Sequence, residues 1–396
     1  MKKTLLILAL GALASSCNNA VSSSSIEGQI TLTDALGRNV TLVPGEAERI
    51  VCIGAGALRL YSYIGDQDRL AGVERIEVDP GEDGKFGYLN SPYALRPYQK
   101  VFGSNWADLP SCGMGGPRAQ VVETEAIALC IPDLIISAYD QDKQGMDDLQ
   151  TLLGVPVLTL SYGETEAFDE ALINSLDTLG KALGKEERAN ELISYINGIE
   201  EDLTSRASQI EEGSEVTAYL AGQARYGLRS FESSTAQYAI FDAVGVINPL
   251  DEMGLVGYQG SVNLENLIVP SPDKIYLDAS SLAMLKADFQ IEEKKEAIEA
   301  IDAVKNNEVY LSMPYNSYYT NLEIAYCDAY WTGVTAYPEL YSDIDLEEKC
   351  NEITNMFLGV DFYSNPTRQD DISDVYYGGF AKLEVPLSDF LDQYVA

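Results

Sequence analysis

Residues 125–136 read EAIALCIPDLII, and residues 265–277 read ENLIVPSPDKIYL. In each stretch a helix is expected to start at the acidic residue and to stop at a Pro-Asp pair, the proline standing seven residues after the glutamate. Proline ends the helix because it has no N–H to donate and its ring clashes with the preceding turn. The apolar run that follows at once is continuous rather than alternating, which suits a parallel strand covered on both faces. One such unit could arise by accident. Two, in the equivalent place of two halves, predict two α/β lobes of similar design.

Working outward, Ile30–Val43 alternates about a turn at Gly37-Arg38 and predicts a β-hairpin. Short apolar strands are expected at Arg49–Ile53, Ala71–Val73, Asp133–Ser137 and Val155–Leu160, with helices at Ala57–Ile64 and Gln144–Leu153. Strands alternating with helices imply a parallel sheet. The texture then changes. Leu172, Leu176, Leu179 and Leu183 are spaced for one helix, which Gly184 would stop. Ala189, Leu192, Ile193, Ile196, Ile199 and Leu203 form a second stripe flanked by acidic residues. Strands return at Val216–Leu220, Lys274–Leu277 and Glu308–Leu311, and long helices are expected over 321–337 and 345–357.

The chain has 26 basic residues against 62 acidic ones, a formal charge of −36. That excludes a nucleic-acid binder, which needs basic clusters. The complete absence of histidine removes Ser-His-Asp and Cys-His triads, His-ligated zinc and His-ligated haem together. No Gly-x-Ser-x-Gly elbow or Walker loop is present, so the protein is expected not to be an enzyme and to need no cofactor or resident metal. Gly54-Ala55-Gly56 follows a strand and opens a helix, but Arg59 replaces the third glycine of a dinucleotide fingerprint, so it reads as a tight turn. The acidic segment from Asp79 to Gly84 lacks the alternating register of a calcium loop and reads as a solvated turn.

At the start of the chain, Lys2 and Lys3 precede the apolar run Leu5–Ala14, and Ser15-Ser16 lead into Cys17. This reads as a lipoprotein signal peptide over 1–16, cleaved before a lipidated Cys17, with a flexible tether over 17–27. Five further cysteines have no metal-type spacing. Cys52 and Cys130 sit in apolar runs as buried thiols, and Cys327 with Cys350 is the one pairing considered for a bridge.

With ERIVCIGAGALRLYSYIG at 48–65, the two Glu…Pro-Asp units, LGVPVLTLSYG at 153–163 and AIDAVKNNEVYLSMPYNSYYTNLEIAYCDAYWTGVTAYPELY at 300–341, the chain resembles the class III periplasmic binding proteins of ABC importers. Within them it is most similar to the iron-complex branch of the iron-siderophore and vitamin B12 binders, with PYNSYYTNLE and the YYGGF of 376–380 carrying that likeness. The resemblance implies an α/β fold of two Rossmann-like lobes with central, mainly parallel sheets, over 28–166 and 212–396, joined by a long linker helix within 167–211. It implies capture of an iron(III) complex in the cleft between the lobes and delivery to a permease and its ATPase. It also implies that Glu125 and Glu265 dock with the permease. A corrinoid or haem binder is the alternative, haem then needing a Tyr or Met axial ligand. An extracellular hydrolase ranks behind both. The protein is expected to act as a monomer in the cell envelope, outside the cytoplasm and anchored to the membrane.

A ferric chelate calls for aromatic walls and a few cationic or hydroxyl groups. Tyrosine outnumbers phenylalanine 25 to 10 and gathers in loops that follow strands. The candidates for ligand contact are Tyr93, Arg96, Tyr98, Trp106, Arg118, Tyr139, Arg225, Tyr226, Arg229, Tyr315, Tyr318 and Tyr319, with Tyr162 similarly placed. Arginine matches planar carboxylates or catecholates, and tyrosine offers a rigid face with a polar tip.

Overall fold

The structure, a computed structural model, describes residues 28–79, 94–116, 122–225, 227–269, 271–364 and 379–395. The signal segment, the tether and Cys17 lie outside the described residues.

Strands β1 (Ile30–Thr33) and β2 (Asn39–Leu42) form the expected antiparallel hairpin. Its turn is fixed by a buried ion pair between Asp34 and Arg38 at 2.6 Å. The same arginine donates to the Val157 carbonyl and the Thr159 hydroxyl, which pins the hairpin over the edge of the first sheet.

That sheet has the order β4-β3-β5-β6. It comprises β3 (Ile50–Ile53), β4 (Leu70–Gly72), β5 (Leu134–Ser137) and β6 (Val157–Thr159), all parallel. Every residue of the four is buried, as expected for a sheet packed on both faces. The second sheet has the order β12-β11-β10-β7, where β7 is Ala218–Ala221, β10 is Lys274–Asp278 and β11 is Val309–Ser312. Those three are parallel, and β12 (Ala381–Lys382) closes one edge antiparallel to β11. A small antiparallel pair, β8 (Ser234–Ala236) and β9 (Gly257–Gln259), was not legible in the sequence.

The two Glu…Pro-Asp units do the same work in both sheets. The Asp133 carboxylate accepts from the N–H groups of Glu48 and Arg49, each at 3.0 Å, and the Asp133 N–H donates to the Arg49 carbonyl. The Asp273 carboxylate accepts from the N–H and the hydroxyl of Thr217, each at 2.8 Å, and the Asp273 N–H donates to the Thr217 carbonyl. Each aspartate thus ties the start of its own strand to the residue leading into the neighbouring one. The second helix needs correction. Thr124–Leu129 is an α-helix of six residues, but Leu264–Leu267 is only a 3-10 turn. Pro270 disfavours helical backbone at Val269, so the second unit is too short for an α-helix like the first.

Between the sheets, the linker is two helices, Glu170–Leu183 and Glu186–Ala207. Gly184 ends the first in a left-handed conformation at φ 62°. A Cβ on Gly180 would come within 2.4 Å of the Ala189 methyl, so glycine there lets the two helices close on each other. The 22-residue second helix spans about 33 Å. One apolar cluster contains Leu58, Leu176, Leu192, Ile196, Tyr276 and Tyr326, and so runs from one sheet through the linker to the other. The lobes therefore share core, which restrains their relative motion. The five described cysteines are buried free thiols; Cys327 Sγ faces the Cys350 carbonyl at 4.0 Å, and the considered bridge is not formed.

Candidate ligand cleft

The carboxyl ends of the parallel strands in both sheets feed loops that meet between the lobes, where open α/β sheets bind ligands. In the first lobe β3 runs into Gly54 and Gly56, at φ 88° and 90°. A Cβ on Gly54 would lie 2.9 Å from the Tyr139 ring, and one on Gly56 would lie 2.7 Å from the Tyr162 ring. Glycine is therefore what lets these two tyrosines, which follow β5 and β6, close over the turn.

Three contacts join the facing loops. Tyr318, beyond β11, donates its hydroxyl to Glu74 Oε2 at 2.7 Å and accepts from the Gly116 N–H at 2.9 Å. Glu74 Oε1 also accepts from the Gly54 N–H at 2.9 Å and the Tyr139 hydroxyl at 3.3 Å. Burial pushes the Glu74 carboxyl up to about 7, against the pull of those donors. Second, Glu166 accepts from the hydroxyls of Tyr315, at 2.6 Å, and Thr320, with the Arg225 guanidinium 4.0 Å away. Third, buried Arg59 donates to the carbonyls of Ser317 and Tyr318 at 2.8 and 3.2 Å, and to Asn321 Oδ1 at 3.0 Å. Tyr318 and Tyr319 both hold positive φ, 54° and 77°, a conformation that side chains with a Cβ adopt at a cost of about 1–3 kcal/mol each. The Tyr319 ring packs on Tyr162 at 4.6 Å.

On the second lobe, Asp278 at the end of β10 accepts from the N–H groups of Ala224 and Ser280 at 3.1 and 2.9 Å, shaping the loop that carries Arg225. Burial raises its carboxyl to about 6. Arg225 lies over the Tyr258 ring at 5.7 Å, and Arg229 Nε donates to the Arg225 carbonyl.

Of the residues expected to touch ligand, Tyr139, Arg225, Tyr315, Tyr318 and Tyr319 come together between the lobes, and half-buried Arg229 lies beside Arg225. Three need correction. Tyr98 and Trp106 are fully buried, with their polar atoms bonded to Glu77 and Gln67. Arg96 is buried in an ion pair with Glu77 at 3.2 Å. Tyr98 lies beneath Arg59, whose guanidinium sits 4.6 Å over its ring, and the polar atoms of all three are drawn to partners within the first lobe. Tyr93, Arg118 and Tyr226 lie outside the described residues. The sequence reading missed Glu74, Glu166 and the bridging role of Arg59. Arg59 carried a signal, a cation where a helix–strand glycine was expected, whereas the two glutamates carried none. Glu125 and Glu265 are both exposed.

With this geometry in view, the comparisons with known proteins are consistent. Residues 50–315 match the family model described as periplasmic binding protein. The petrobactin-binding protein YclQ of Bacillus subtilis is 24% identical over 319 residues, 78% of this chain and 90% of that protein. An uncharacterised ABC transporter substrate-binding lipoprotein of the same organism, YvrC, is 21% identical over 282 residues, 71% of this chain and 77% of that one. Among solved structures, the TroA-like periplasmic binding protein FepB from Veillonella parvula superposes with a TM-score of 0.61 at 22% identity, covering 84% of this chain and 97% of that one.

Proposed function

Since the chain belongs to the periplasmic binding protein family, as a class III member serving ABC importers, we propose that it captures an iron(III) chelate of siderophore type between its lobes and hands it to a permease. The observation that carries this reading is the set of groups meeting in the cleft: the phenols Tyr139, Tyr315, Tyr318 and Tyr319 and the guanidinium of Arg225, drawn from both lobes. A ferric chelate presents anionic oxygens and, in catecholates, aromatic faces. Arginine pairs with the former and tyrosine packs on the latter. The likeness to a petrobactin-binding relative supports the same choice.

Entry of ligand replaces the present contacts. Tyr315 and Thr320 exchange Glu166, and Tyr318 exchanges Glu74, for ligand oxygens, while the linker helices hold the lobes near their present separation. Glu125 and Glu265 meet cationic groups of the permease, and a lipid on Cys17 keeps the protein at the membrane. Titrating the purified protein with a ferric catecholate, a ferric citrate-type chelate, cyanocobalamin and haem, followed by intrinsic fluorescence, tests the reading. Saturable quenching by a ferric chelate alone is expected. Saturation by cobalamin or haem alone would replace it with the alternative ligand class.

A further inference from the structure

Among the described residues, the two most exposed large hydrophobic side chains are Val269, at 83% exposure, and Leu129, at 81%. They occupy the same place in the two lobes, four residues after Glu265 and Glu125. On the helix Thr124–Leu129, that spacing sets Glu125 and Leu129 on one face, a turn apart. Val269 keeps the spacing in sequence although it lies beyond the 3-10 turn Leu264–Leu267, so a shared helical fold does not explain it. Neither side chain contributes to a core, and both aspartates that follow are already satisfied by backbone partners. Leaving a Leu or Val in water forgoes the stabilisation that its burial would bring. Ile131 adds to the first patch: it is 70% exposed and sits at φ 50°, a real outlier for a β-branched residue, held there by Arg49 donating to its carbonyl at 2.8 Å.

We propose that Leu129 with Ile131, and Val269, form the apolar halves of two docking patches, each following its exposed acidic residue by four positions, for a partner with two equivalent surfaces that pair a cation with an apolar recess. A duplicated patch in one chain fits a two-fold symmetric partner, and the exposed carboxylate that precedes each apolar group selects a cation on it. The partner is the permease; this rests on the transport reading above and deepens it. A lipid surface is disfavoured, because a chain of net charge −36 with an exposed glutamate four residues before each apolar group is repelled by anionic headgroups. In this arrangement the glutamates steer the encounter, and the apolar side chains, excluding water around them, set how long the complex lasts.

The test uses the full protein with a cognate permease and ATPase reconstituted in nanodiscs. The readout is the binding-protein concentration that half-stimulates ATP hydrolysis. Leu129→Ser and Val269→Ser are each expected to raise it about tenfold, and the double variant about a hundredfold, with unchanged affinity for ferric chelate and an unchanged circular dichroism spectrum. Leu152→Ser, equally apolar and 73% exposed elsewhere on the first lobe, is expected to leave it unchanged. Wild-type behaviour of both serine variants, while Glu125→Ala and Glu265→Ala weaken stimulation, would overturn the apolar patches and leave the transport reading standing. Absence of stimulation by any form of the protein would remove both. Loss of binding to permease-free vesicles in the serine variants would assign the patches to lipid and also overturn the proposal.

Discussion

The two lobes solve one problem with different local structure. In the first, an α-helix of six residues leads to Asp133; in the second, a 3-10 turn leads to Asp273. Yet both aspartates bind the residue entering the adjacent strand in the same pattern, and both glutamates stay exposed at the same distance along the chain. What the duplication keeps is the strand register and the display of a surface group, and the helix between them is dispensable. A second parallel lies at the cleft. There the first lobe buries Glu74 against the turn after β3, and the second buries Asp278 against the turn after β7.

The buried carboxyls offer the largest effect with which to test that parallel. Both are raised by burial, Glu74 to about 7 and Asp278 to about 6, so the folded protein holds their protons where the unfolded chain has released them. Their contribution to stability is therefore full at low pH and lost as pH rises, between about 4.5 and 7 for Glu74 and between about 4 and 6 for Asp278. Each is worth on the order of 2–3 kcal/mol across its window. Chemical denaturation of Glu74→Gln is expected to lose the pH dependence between 6 and 7, and Asp278→Asn to lose only the part below 6.

The turn glycines come next. Gly54 at φ 88° and Gly222 at φ 74° follow the first strand of each sheet. A Cβ would meet the Tyr139 ring at 2.9 Å in one and Leu285 Cδ1 at 2.8 Å in the other. Alanine at either is expected to cost about 2 kcal/mol, but only Gly54→Ala, by displacing Tyr139, should also weaken ligand binding. Thermal melts paired with ligand titration separate the two effects.

A smaller effect is expected at the strand entries. Asp133→Ala and Asp273→Ala each remove a carboxylate that accepts two donors at an exposed position, and should lower stability by about 1 kcal/mol. Equal losses would support the parallel; a loss confined to one lobe would break it. Smallest of all, Leu129→Ser and Val269→Ser should change stability by no more than about 0.5 kcal/mol, since neither side chain is packed.

Much of this architecture was legible because its signals are local. Continuous apolar runs marked β3, β5, β10 and β11, and Gly184 marked where the first linker helix stops. The three-residue strands β8 and β9 carry too little pattern to stand out. The cleft was half legible. Tyrosines in loops after strands could be named, but which of them face the other lobe depends on contacts far apart in sequence, such as Tyr318 with Glu74. The same limit explains Arg96, Tyr98 and Trp106, whose loop placement resembled that of the cleft tyrosines. Only tertiary packing shows that Glu77 and Gln67 draw them inward.

The central claim is that a ferric chelate is held between the lobes by groups from both. Calorimetric titration of a ferric siderophore into wild type, Tyr139→Phe and Arg225→Ala tests it most directly, because these residues come from opposite lobes. The account predicts one site per chain in the wild type, with affinity lowered about tenfold or more by each substitution. Absence of binding by the wild type, or binding untouched by either substitution, would contradict it.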